Sequence, residues 1–401
     1  MWLAGWAARR EPASGKAMDL FAKALALEDA QGGRVVIITA DLIALPRALT
    51  DAVAARVRPV CGLTRDRLLF NASHTHTGPE IRPDKVPFFE IPTEFAAKIP
   101  PYVARLEEQL AALIEEAIDR LAPVTLRVHV GRATFGANRR ASGGPSDPSV
   151  PVLEVRDTDD NVRAIVFGYA CHNLVLPPSF CAYHGDYAGI AQRELERAFP
   201  AAAALFLAGA GADQDPAPRG TPDLAKAHGV ALAHEVCRVC ASGGRAIQPR
   251  LAVQLTDIVL DLQPLPAIGD LETDVRSTDA PRRRKAEFLL RALAEKRPLP
   301  VTQSCPVHVL RLGGELLFIA LGGEPVVDFA LRFHEEFAGP VVWVAGYSND
   351  MFGYLPTRRV QEEGGYEGGR ATLWSALPMP IAADSEDRVV EAVRRLVHAT
   401  V

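Results

Sequence analysis

Apolar and polar positions along the 401-residue chain change period repeatedly, and each change marks a predicted element. The β-branched run "GRVVIITADLIAL" reads as a strand reaching Asp41, "TDAVAARVR" as a helix, and "DRLLFNASHTHT" as a second strand that stops at two histidines. A 3.6-residue period then holds through "PYVARLEEQLAALIEEAIDRL", a helix bounded by Pro101 and Pro123. Strands follow at "VTLRVHVGRA", "PVLEVRD" and "RAIVFGYACHN", with Asp160-Asn161 as the turn between the last two.

The same alternation continues to the end. "AGIAQRELERAF" predicts a helix, "AALFLAGAG" a strand running into "ADQDP", and residues 222 to 241 another helix. Beyond these come the strand "RLAVQLTDIVLDL", a charged helix at 281 to 296, the strand pattern "CPVHVLRLGGELLFIALGGE", the helix "PVVDFALRFHEEF" and the strand "PVVWVAGYSND". A Gly-rich loop, "EEGGYEGGRATLW", precedes a last helix, "DSEDRVVEAVRRLVHAT". Strands and helices interleaved in this way predict an α/β fold, a mixed β-sheet with flanking helices, and no linker divides residues 1–401 into more than one domain.

Composition changes this picture little. A 48% apolar content fills a sizeable core, and 44 basic against 49 acidic residues give a net charge of −5, which offers no attraction for nucleic acid or an anionic membrane. The first residues, "MWLAGWAARREPASG", carry two arginines where a secretory leader needs an apolar segment, and no later run approaches a membrane span; a soluble, cytoplasmic protein without stable membrane insertion is the expectation. Six scattered cysteines do not make a disulfide scaffold. Cys237 and Cys240 form a CxxC, but within a helix, where both are expected to pack on one flank; redox or metal work is the alternative.

The chemistry collects at strand ends: His74 and His76 in "NASHTHTGPE", His172 in "GYACHN", Asp213 and Asp215 in "GADQDP", Glu324 in "LGGEP" and Tyr354 in "GYLPT". Two imidazoles and a carboxylate form a set that suits zinc, although no compact signature such as HExxH is present; each histidine alone could equally be a hydrogen-bonded loop residue. His129, His308 and His334 fall inside strand or helix patterns and are expected to be structural, while His184 is left undecided. "GRATFGANRR" lacks the GxGxxG of a dinucleotide site, and "GGPSDPS" reads as a turn. Asn71-Ala72-Ser73 fits a glycosylation acceptor that an intracellular chain would not use.

Taken in order, these motifs resemble the neutral, non-lysosomal ceramidases. "NASHTHTGPE" resembles the family's histidine motif, "GYACHN" its second histidine strand, and "GYLPT" with "GYEGGRATLW" its paired-tyrosine segment; the similarity runs from about residue 6 to Trp374. The resemblance implies the family's catalytic-domain fold and one Zn2+ held by His74, His172, Glu324 and Tyr354. It also implies His76 as the proton-handling group, Arg139 of "ANRR" as an active-site cation and Tyr366 as a donor to the polarised carbonyl.

Three departures accompany it. Asp215 stands where the family's discussed serine would be, so a serine acyl-enzyme is not expected; Asp215 is read as a positioning acceptor for His76 or another imidazole, a substrate-amine or second-metal ligand, or a turn residue. Asp213 and Asp186 match family aspartates and are expected to fix loops or to support the ligands from behind rather than to ligate the metal themselves. The 401 residues leave no room for the family's C-terminal immunoglobulin-like domain, and its secretory leader is not seen.

The function these readings imply is hydrolysis of the non-peptide C–N bond in a soluble N-acyl amide. The rivals are an esterase or lactone hydrolase with the same zinc centre, a non-catalytic metal- or small-ligand-binding protein, and a metal-free α/β protein. The expected partner is a small amide or ester, and no oligomeric state is assigned.

Overall fold

The protein is described by a computed structural model covering residues 1–401. Its architecture follows from side-chain alternation along strands that are buried on both faces. In Arg34–Ala40, Val36, Ile38 and Ala40 face one apolar cluster while Val35 and Ile37 face another. The first cluster joins these residues to Leu49, Val53 and Val57 of helix Arg47–Cys61 and to Leu106, Leu110 and Ile114 of helix Ile99–Asp119. The second joins them to Leu310, Phe318 and Trp343 of a facing sheet. Leu317, Ile319 and Val344 on the far side of that sheet pack on Phe329, Phe333, Val389 and Leu396 of helices Asp328–Glu336 and Ser385–His398. The result is four layers: helices, strands, strands, helices.

The first strand layer holds a three-stranded sheet, Ala22–Glu28, Arg34–Ala40 and Leu68–Ala72, and a five-stranded one running Ala203–Ala208, Val162–Tyr169, Ser149–Asp157, Val124–Arg132 and Arg245–Ala246. The second layer is Leu251–Asp261, Thr302–Leu312, Leu316–Leu321 and Val341–Ala345. Gly168 lets the two layers close, since a Cβ there would lie 2.7 Å from the indole nitrogen of Trp343. The mixed sheet with flanking helices expected from the sequence is present. The run "CPVHVLRLGGELLFIALGGE" is an antiparallel pair of strands turning at Gly313, whose φ is +56°.

Parallel pairing places several strand ends on one side. Leu68–Ala72 runs parallel to Arg34–Ala40, Ala203–Ala208 to Val162–Tyr169, and Val341–Ala345 to Leu316–Leu321. Fully buried Asn71 stitches three of these ends together. Its amide donates to Gly346 O at 2.7 Å and Ser348 Oγ at 3.1 Å, and its oxygen accepts from Ala208 N at 2.9 Å. The formal glycosylation triplet is therefore a structural knot. Among the helices none is long and apolar enough to cross a membrane.

Candidate metal centre and catalytic pocket

His74 follows Leu68–Ala72 and sits in the left-handed region, φ 58°, where the strand has ended. Its Nδ1 hydrogen-bonds Ile43 O at 2.8 Å; His172, after Val162–Tyr169, makes the matching 2.8 Å bond from Nδ1 to Gly211 O. A carbonyl partner can only accept, so each ring carries its proton on Nδ1 and presents a bare Nε2. Both Nε2 atoms lie 3.5 Å from the same Glu324 oxygen, Oε2, which is buried and otherwise without a partner. Burial, added to the neighbouring charge of His172, pushes His74 down to about 3 despite Glu324; for Glu324 the burial penalty is outweighed by the two imidazoles, and the carboxyl falls to about 2.

Tyr354 reaches the same place through a short parallel pairing in which Glu324 and Tyr354 are register partners. Its phenol accepts a 2.9 Å hydrogen bond from Arg139 Nη2. Burial and the Glu324 charge hold this phenol well above its usual range. His76 lies beside the group, its ring 4.9 Å from His74 and 5.9 Å from His172, and ligand nitrogens of the three histidines fall within 4.8 Å of one another. Neither nitrogen of His76 has a hydrogen-bond partner, and burial keeps the ring neutral. Gly5 packs so closely that a Cβ would lie 2.5 Å from His76 Nδ1, and Trp6 stacks edgewise at 5.2 Å. Two oriented imidazoles and an unpartnered carboxylate oxygen fit a divalent zinc, whose ligands of choice they are.

Arg139 is held by Glu367 at 2.6 Å and Asp215 at 3.1 Å, so the guanidinium stays charged in spite of its burial. Its position comes from Gly136–Asn138 pairing antiparallel with Gln214–Pro216, where Asp215 opposes Ala137. The other Asp215 oxygen meets Arg219 at 3.0 Å. Asp215 therefore engages two arginines and bonds neither His76 nor another imidazole, contrary to the positioning role that is one of several the sequence leaves open for it. Tyr366 stands 5.3 Å from the Tyr354 ring, with Arg139 5.5 Å over its face. Protein crowded around its hydroxyl pushes the phenol up to about 12, although 41% of the residue faces the cavity mouth.

Other candidates lie in separate networks. Asp213 accepts from Val327 N and Asn138 Nδ2, and Asp186 from Leu176 N and Tyr187 N; both fix loops. His184 accepts from Asp186 N through Nδ1. His129 pairs with Glu154 at 3.0 Å, His308 contacts Asp66 O, and His334 lies 3.9 Å from Asp147. All six cysteines are free; burial, with Glu154 and Cys237 adding to it, raises the thiol of Cys240 to about 12. Three groups escaped sequence reasoning: Glu367, which also binds Arg140 at 2.7 Å, Tyr347, whose ring lies 4.3 Å from His74, and Lys85. The only signal for Glu367 was its place directly after Tyr366.

Two connected spaces meet at the centre. An inner cavity of about 80 Å³ is bounded by His74, Glu324, Arg82, Lys85, Met351 and Ile381, and an outer mouth of about 1090 Å³ by Trp6, Arg139, His172, Asp215 and the arginines 10, 219, 283 and 284. His76, Tyr354 and Tyr366 line both.

The architecture is that of a ceramidase-like α/β protein. It is similar to the neutral ceramidase from Pseudomonas aeruginosa, with a TM-score of 0.76 over 99% of this chain and 72% of that one at 17% identity. A ceramidase complexed with C2 superposes at a TM-score of 0.78, with the same coverage and identity. The likeness is one of fold, and at that level the resemblance carried by the motifs holds. No protein-family model matches the sequence, and no curated protein does.

Proposed function

We propose that this protein is a zinc-dependent hydrolase that cleaves the non-peptide C–N bond of a small N-acyl amide with activated water. The observation that carries the reading is the pair of imidazole Nε2 atoms, each 3.5 Å from one unpartnered, buried Glu324 oxygen. His74, His172 and Glu324 would hold the ion, with the Tyr354 phenol as fourth ligand. Bound there, zinc supplies Lewis-acid polarisation and makes water ionisable near neutral pH, from 15.7 to roughly 7.

The remaining work belongs to the chain's own side chains. His76, buried and neutral with both nitrogens unengaged, accepts the proton of the attacking water and returns it to the departing nitrogen. Tyr366 keeps its proton and donates it as a hydrogen bond to the carbonyl oxygen as negative charge gathers there. Arg139 fixes Tyr354 by its 2.9 Å bond and adds positive charge beside Tyr366. Asp215, engaged by Arg139 and Arg219, serves as the brace of Arg139 rather than as a nucleophile.

The test is metal analysis of the purified protein followed by kcat/KM across N-acyl amines, esters and lactones. About one zinc per chain, lost in Glu324→Gln, with turnover of amides above esters and lactones, is expected. Ester or lactone turnover alone moves the substrate class. Bound metal with no turnover on any of the three leaves a binding protein and ends the hydrolase reading.

A further inference from the structure

Lys85 is a largely shielded cation on the wall of the inner cavity, and the one acid within ion-pair range of it is distant and half-exposed. Its side chain is 13% exposed; its ammonium donates to Trp374 O at 3.1 Å, and the carboxylate within reach, Asp84, is 4.0 Å away with 47% of its side chain in solvent. An ammonium has three donors, so this arrangement leaves donors free. The other acids nearby are committed elsewhere. Glu80 forks Arg82 with two 2.7 Å bonds, Glu367 binds Arg139 and Arg140, and Glu324 faces the two imidazoles. A buried charge without a partner is costly, and the cost is relieved when a ligand of opposite charge arrives. Burial, with Arg82 beside it, pushes Lys85 down to about 8, which leaves the ammonium the majority form at pH 7.

The two cavities fix where such a ligand would lie. His76, Tyr354 and Tyr366 belong to both walls, so the reacting carbonyl sits at the junction and the substrate extends one arm inward and one outward. The inner space of about 80 Å³ holds on the order of a few water-sized groups. A space of that size suits a short chain ending in an acid better than a long alkyl chain.

We propose that the inner cavity receives a carboxylate held by Lys85, making the substrate a small amide or ester with an acid group a few bonds from the scissile carbonyl. The proposal rests on the hydrolase reading for the position of the carbonyl and on Lys85 alone for the acid.

Matched pairs test it in both orientations: glutaryl-p-nitroanilide against pentanoyl-p-nitroanilide, and N-benzoyl-β-alanine against N-benzoylpropylamine. Wild-type protein is expected to favour the acid member of one pair in kcat/KM by roughly 10- to 100-fold, the span of one charge-assisted hydrogen bond. Lys85→Met should abolish that preference and Lys85→Arg should retain it. Measurable and equal rates on the members of both pairs in the wild type overturn the proposal with no variant needed. Calorimetric titration of butyrate and butyramide onto the purified protein separates this idea from the hydrolase reading. Butyrate binding that disappears in Lys85→Met upholds the site even where nothing is hydrolysed, and the hydrolase reading then falls alone. Butyrate that binds the variant as well as the wild type, or binds neither, overturns the Lys85 site.

Discussion

Replacing Asn71 by alanine should unfasten the strand ends that carry the centre. The side chain is fully buried, and it is the acceptor for Ala208 N at 2.9 Å. Truncation orphans that N–H, at about 1–3 kcal/mol for a buried donor left unmade. Gly346 O keeps a partner, because Ser348 Oγ also donates to it at 2.7 Å, and Ala208 O keeps the amide of Gly346. The lost amide bonds to Gly346 O and Ser348 Oγ therefore add only their net worth, about 0.5–1.5 kcal/mol each. The sum is roughly 2–6 kcal/mol. Asn71→Asp keeps the acceptor for Ala208 N but aims a carboxylate oxygen at Gly346 O in a buried place, so it should be no better than alanine. Urea unfolding followed by far-UV circular dichroism gives the stability difference, and hydrogen exchange read on peptides spanning 204–212 and 341–350 gives its location. A loss below about 1 kcal/mol in Asn71→Ala, or exchange unchanged in both peptides, would refute the claim that this amide joins the sheets.

Two further outcomes are expected. Tyr366→Phe removes the hydroxyl that the proposed mechanism assigns to the developing oxyanion and should lower kcat by about 100-fold with KM little changed; a near-normal turnover in a steady-state assay removes Tyr366 from the mechanism. Lys285 donates to Ser375 O and Leu377 O, and burial with Lys85 nearby pushes it down to about 7 from the ordinary lysine value of 10.5. Between those values the unfolded chain holds a proton that the folded protein has released, so stability rises with pH across that interval, by up to roughly 1.4 kcal/mol per pH unit. Denaturation of wild type and Lys285→Met at pH 7.5, 8.5 and 9.5 should show the variant with the shallower slope, and parallel slopes contradict it.

The sequence made the strand ends readable because chemistry there interrupts an apolar run: His74, His172 and Glu324 each stand just beyond one, and the fold brings them together with Tyr354. The turn at Asp160-Asn161 was readable for the same local reason, with Asp157 N bonding Asn161 O at 2.9 Å. The strand Ala22–Glu28 was not. Its "AKALALE" is made of helix formers, and it becomes a strand because Ala22, Ala24 and Ala26 pack toward the helices while Leu25 and Leu27 pack toward the second sheet. The four layers were hidden because a residue such as Leu69 gives no local sign of which of two cores it faces. The braces were hidden by distance along the chain: Glu367 lies 228 residues from Arg139, and Lys85 lies 289 from Trp374. The left-handed backbone of His74 had no signal in a residue type that seldom adopts it.

The packing of Gly5 against His76 bears on how the protein is made. Gly5 and Trp6 form one side of the pocket, and Tyr354, Tyr366 and Trp374, which follow them by most of the sequence, form the other. A nascent chain can assemble its first sheets, but the proposed ion-binding set is incomplete until Tyr354 has been synthesised. Chains halted before that point should be inert toward metal and substrate alike, whatever share of their secondary structure has already formed.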